Sequence, residues 1–73
     1  MSKVILYTMP NCGQCEMQKR FLEEANIEYE QRDLLDEVDF IDKNNIRKAP
    51  VLVIDNNIYK EILPPFKLKE LIR

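Results

Sequence analysis

The chain has 73 residues, 45% of them hydrophobic and 33% charged, with one glycine, four prolines, two cysteines and no histidine. That length makes a single domain, 1–73, whose core must be efficient because a small chain buries a modest share of its surface. Eleven basic against thirteen acidic side chains leave a net charge of −2, which excludes the basic field of a general nucleic-acid binder. No apolar run is long enough to span a membrane, and the first residues carry too short an apolar stretch for a signal peptide. A cytoplasmic protein with no membrane or nucleic-acid partner is therefore expected, and it is read as a monomer.

Lys3 to Tyr7 is β-branched and aromatic and stops at Pro10-Asn11, which predicts a buried strand. A helix is expected from about Gly13 to Ala25. Met17, Phe21, Leu22 and Ala25 recur there at helical spacing and define its inward face, and Asn26 suits its end. Ile27 to Arg32 alternates apolar and polar residues, with Ile27, Tyr29 and Gln31 on one side of a second strand. Asp36 is placed to cap a short helix with Val38 and Ile41 inward, closed by Asn44-Asn45. Val51 to Ile54 reads as a third strand and Ile58 to Lys60 as a fourth. Asp55-Asn56-Asn57 between them has turn chemistry, but the missing glycine leaves the turn type open. Pro64-Pro65 fits the first turn of a last helix carrying Phe66, Leu68, Leu71 and Ile72. The order is β-α-β-α-β-β-α, an α/β domain with a four-stranded mixed sheet and helices on both faces.

Cys12-Gly13-Gln14-Cys15 follows the first strand and opens the first helix. A disulfide across so short a loop removes little entropy from the unfolded chain, so the pair is placed for chemistry rather than as a staple. At a helix N-terminus, unpaired N–H groups and the dipole favour negative charge, so Cys12 is expected to be an exposed, stabilised thiolate. Cys15, one turn further in, is expected to be buried and less acidic. Cys12 attacks a substrate disulfide and Cys15 resolves the mixed disulfide. Zinc needs four ligands, and this chain has no histidine and no third cysteine. The rival reading is a dimer bridged by a metal or an iron–sulfur cluster through Cys12.

Tyr7 to Cys15, followed by Lys19 and Leu22, resembles the active-site segment of glutaredoxins. It is most similar to the small glutaredoxin-like redoxins that donate electrons to ribonucleotide reductase, in which glutamine is frequent at the position of Gln14. Lys48-Ala49-Pro50-Val51-Leu52-Val53-Ile54-Asp55 resembles the family segment in which a cis-proline precedes the third strand. The resemblance implies a thioredoxin-like fold at its minimum size and thiol–disulfide exchange through Cys12 and Cys15. It implies substrate contacts at Tyr7, Pro10, Gly13, Gln14, Ala49 and Pro50, with the Ala49 backbone pairing an extended substrate and Pro50 walling the site. For Tyr7 a strand residue packing its ring is an equal reading. The partners implied are a protein disulfide, such as that of ribonucleotide reductase, and either glutathione or a thioredoxin reductase as electron source, with no bound cofactor.

Two departures bear on that choice. Many glutaredoxins have lysine where this chain has Met9, and a Gly-Gly pair with an acidic residue where it has Tyr59-Lys60-Glu61-Ile62-Leu63-Pro64. Both absences weaken the case for glutathione and leave disulfide exchange intact, although the donor-type redoxins also usually have a glycine in that stretch, so Ile62 departs from both groups. Met9 and Met17 read as apolar filler and Lys48 as a solvated lysine. Asp33, Asp36, Glu37, Asp39 and Asp42 lack the order of a calcium loop and read as a solvated face.

Overall fold

The computed structural model describes residues 3–72. Strand β1 (Val4–Thr8) leads through a short turn into helix α1 (Gly13–Glu24). Then come β2 (Glu30–Asp33), a 3₁₀ turn (Leu34–Asp36) and α2 (Val38–Asn44). The chain finishes with β3 (Val51–Ile54), β4 (Asn57–Tyr59) and α3 (Pro65–Leu71). The sheet order is β2-β1-β3-β4. β1 runs parallel to β2 and antiparallel to β3, and β3 runs antiparallel to β4. The expected element order and mixed sheet are what the chain forms.

All five residues of β1 are buried, as a strand covered on both faces requires. Val4 and Leu6 join Leu22, Leu52, Ile54, Leu63 and Leu68 beneath α1 and α3. Ile5 and Tyr7 join Leu34, Ile46 and Val51 on the other face, where Phe40 and Ile41 of α2 close over them. Asparagines make the sharp turns. Asn26 (φ 59°) and Asn45 (φ 54°) end α1 and α2 in the left-handed region, which asparagine tolerates better than other residues with side chains. Asp55 (φ 48°) and Asn56 (φ 74°) are both left-handed, so β3 and β4 are joined by a two-residue type I′ turn without glycine.

Four expectations are corrected. β2 starts at Glu30 rather than Ile27, because the Ile27 N–H bonds the Leu22 carbonyl at 3.0 Å and closes the helix end. Ile27 and Tyr29 pack against the α1-side core from outside the strand. On α1 the inward position goes to Gln18, fully buried, while Met17 is 47% exposed. Gln18 is buried because its amide accepts from the Leu63 N–H at 2.8 Å and donates to the Leu63 carbonyl at 3.0 Å. Asp36 caps nothing: Asp33 accepts the Leu35 N–H at 2.9 Å to start the 3₁₀ turn, and α2 begins two residues after Asp36 with no side-chain cap. Val38 at its first position is 61% exposed, and Phe40 and Ile41 do the packing. On α3, Leu68 is fully buried and Phe66 largely exposed. Pro65 takes the first helical position as anticipated.

Candidate active site

β1 ends at Thr8, and the chain must reverse over Met9, Pro10 and Asn11 to enter α1. Asn11 is left-handed (φ 57°), which turns Cys12 into the N-cap position with extended backbone (φ −106°, ψ 103°). There the Cys12 Sγ accepts the backbone N–H of Cys15 at 3.0 Å, and the Glu16 N–H reaches the Cys12 carbonyl at 3.3 Å. A sulfur thus does what a serine or aspartate oxygen ordinarily does at a helix start. The two sulfurs are joined in a disulfide with Cα atoms 5.2 Å apart. Cys12 is half-buried and Cys15 only 2% exposed. Once reduced, the N–H on Cys12 and the positive end of α1 favour its thiolate.

On the β2 side the disulfide opens into a cleft of about 650 Å³. Register sets its floor: Thr8 lies opposite Asp33 and Leu6 opposite Gln31, so Thr8, Gln31 and Asp33 share the face that α1 covers. Cys15, Glu16 and Lys19 of α1 form the other wall. Gln31 Nε2 donates to Thr8 Oγ1 at 3.5 Å, a loose contact. Arg32 lines the cleft too, but its register partner is Tyr7, so its guanidinium turns to the opposite face. There it donates to Glu30 and approaches Glu37 at 3.8 Å. The hydrogen bond to Glu30 pushes the Arg32 guanidinium up and holds the Glu30 carboxyl below its ordinary value.

On the β3 side stand Ala49 and Pro50. The Ala49–Pro50 peptide is cis, as the resemblance implies. Tyr7 pairs with Val51; extending that register brings Pro50 level with Thr8 and Ala49 level with Met9. Pro50 is buried and Ala49 half-buried. Pro10 and Gly13 line the cleft. Gln14 is exposed outside it, and a side chain at Gly13 would meet nothing within 4 Å. Tyr7 does not reach the site mouth. It is buried in the α2-side core, its ring stacked on Phe40 at 4.5 Å, which is the packing alternative of the sequence reading. Thr8, Gln31 and Asp33 line the cleft with no mark in the sequence that sets them apart, because register alone decides which face of β1 and β2 helix α1 covers. Among the described residues there is no cluster of three or more metal-ligating side chains, and no helix long and apolar enough to cross a membrane.

A glutaredoxin family model matches residues 4–59. No curated protein sequence matches the chain. Among solved structures, the thioredoxin-like protein BC3987 superimposes with a TM-score of 0.78 at 27% identity, over 96% of this chain and 100% of that one. Glutaredoxin 1 from Francisella tularensis, complexed with cacodylate, gives 0.69 at 26% identity, over 96% and 91%. The glutaredoxin-like NrdH-redoxin from Escherichia coli, described as having a thioredoxin-like activity profile, gives 0.78 at 18% identity, over 92% of each chain, a likeness of fold.

Proposed function

The chain belongs to the glutaredoxin family, and from that premise we propose that it reduces protein disulfides with electrons from a thioredoxin reductase, ribonucleotide reductase being the candidate substrate. As a glutaredoxin-like protein with a Cys12–Cys15 pair it is a thiol–disulfide oxidoreductase. The observation that carries the mechanism is the 3.0 Å bond from the Cys15 N–H to the Cys12 Sγ. It supports Cys12 as the attacking sulfur, held by an N–H that favours its thiolate, with Cys15 as the buried thiol bonded to it. The Cys12 thiolate attacks the substrate disulfide and expels one substrate thiolate. The Cys15 thiolate then attacks Cys12 Sγ, expels the second, and leaves the protein oxidised by two electrons. The Ala49 backbone and Pro50, on the β3 flank, would receive the substrate chain.

Support for thioredoxin reductase over glutathione comes from Met9, which puts no cation beside Cys12, and from the stretch after β4. Glu61 to Pro64 has no glycine, and the Leu63 backbone is pinned by Gln18, so that segment lacks the family's open Gly-Gly backbone.

The test is NADPH consumption with a disulfide substrate, coupled in parallel to thioredoxin reductase and to glutathione with glutathione reductase. Turnover with the first alone is expected. Cys12→Ser should fall to the blank, and Cys15→Ser should trap the mixed disulfide. Full dithiol activity in Cys12→Ser would sink the mechanism, and turnover with glutathione alone would reassign the electron source. Protein purified without oxygen is expected to be colourless and monomeric; a coloured or zinc-loaded dimer would favour a cluster bridge through Cys12.

A further inference from the structure

The resolving step poses a problem that the dithiol alone does not solve. Cys15 must lose its proton to attack Cys12, yet it is 2% exposed, and burial makes a thiol harder to ionise. Among the described residues the buried polar side chains are Thr8 and Gln18, and neither carries a charge. We infer that Lys19 is a positioning residue for this step, its ammonium stabilising the Cys15 thiolate from the wall of the β2-side cleft. The inference rests on the dithiol reading above.

The geometry is helical. Residues four apart on a helix bring their Cβ atoms to about 5–6 Å, and helical side chains lean toward the N-terminus. Lys19 follows that lean: its Nζ lies 3.5 Å from Glu16 Oε1, one turn back toward the sulfurs. The Lys19 side chain is 23% exposed and that of Glu16 72%, so the lysine lies along the protein while its partner stands in water. Such a pair holds the ammonium weakly. Lys19, Cys12 and Cys15 line one cleft.

The remaining charges set the sign. Glu16 on α1 and Asp33 on β2 face the same cleft and oppose a thiolate, though Asp33 is engaged by the Leu35 N–H at 2.9 Å. The Arg32 guanidinium is held on the other face by Glu30 and Glu37. Lys67, Lys69 and Glu70 of α3 do not line the cleft. Of the two cations that line the cleft, Lys19 is the one on α1, four residues from Cys15 and so on the same helical face.

Stopped-flow oxidation of the reduced protein by excess dithiodipyridine, an uncharged disulfide, separates the two steps. The first phase forms the Cys12 mixed disulfide with release of one thiopyridone. In the second, the Cys15 thiolate displaces the other thiopyridone, the bond from Cys12 to the probe breaks and the Cys12–Cys15 bond forms. An opposite charge within about 4–6 Å moves a titration by about one unit or more. The lower nucleophilicity of a more acidic thiolate returns part of that. Lys19→Gln is therefore expected to slow the second phase about three- to tenfold at neutral pH, shift its pH profile upward and change the first phase far less. Lys19→Arg should restore it, Glu16→Gln should speed it, and Lys69→Gln should match the native protein. A second phase in Lys19→Gln as fast as native, or equal slowing of both phases, would overturn the inference. Absence of a first phase in the native protein would instead sink the dithiol reading.

Discussion

Helices α1 and α2 cover opposite faces of one sheet and are held in different ways. α1 sends Cys15, Gln18 and Leu22 fully inward and has a side-chain cap at its start. α2 has no buried residue and no side-chain cap; it rests on half-buried Phe40 and Ile41 over Tyr7 and its neighbours. The helix that carries the chemistry is anchored along its length, while the other serves as a cover. Fixed geometry is spent where two sulfurs must meet, and the face away from them tolerates a lighter hold.

The contrast breaks first at the anchors. Leu22→Ala should cost about 3–5 kcal/mol in chemical denaturation, the range for a fully buried leucine. Phe40→Ala, at a partly exposed ring, should cost on the order of 1–2 kcal/mol. Comparable losses would mean that the two helices are held alike. Gln18→Leu leaves the N–H and carbonyl of buried Leu63 without partners and is expected to cost about 2–4 kcal/mol, whereas Met17→Leu beside it should change little. If Gln18→Leu proves neutral, the amide is filler rather than a clamp between α1 and the segment before α3. Asn11→Val forces a β-branched residue into the left-handed region at a cost of roughly 1–2 kcal/mol. It should also raise the thiolate titration of Cys12, followed by the ultraviolet absorbance of the thiolate. Asn11→Gly should preserve both.

The smallest effect concerns acid. Because its hydrogen bond with Arg32 holds the Glu30 carboxyl below its ordinary value in the folded protein, the unfolded chain binds that proton more readily. The pair's contribution is present above the unfolded carboxylate range and is lost as pH falls from that range through the lowered value of the folded carboxyl. Glu30→Gln should flatten the acid limb of a stability profile slightly, and an unchanged limb would remove the pair from the account.

What the sequence disclosed follows the same contrast. The dithiol at a strand-to-helix junction, the hairpin and Pro65 were legible because each rests on neighbours in the chain. Gln18 was not, since its burial depends on Leu63, 45 residues away, and periodicity favours the apolar Met17 next to it. Asp36 reads as a cap because the residue pattern does not separate the 3₁₀ turn from the short helix after it. A 3₁₀ turn started by Asp33 precedes it instead. Tyr7 was ambiguous for a simple reason: a strand residue next to an active site serves the core or the site according to which face it takes. Register alone decides that, and it put Tyr7 beneath α2.

The order β2-β1-β3-β4 leaves β2 as an outer strand with open backbone groups. Bare strand edges invite a neighbouring molecule to add its own strand. Here the edge is four residues long and reads Glu30-Gln31-Arg32-Asp33. An incoming strand would find charges to desolvate and no greasy side chain to shelter. The sheet is thereby discouraged from growing into an aggregate on the flank where the cleft lies, leaving that flank open to solvent and to whatever exchanges electrons with the sulfurs.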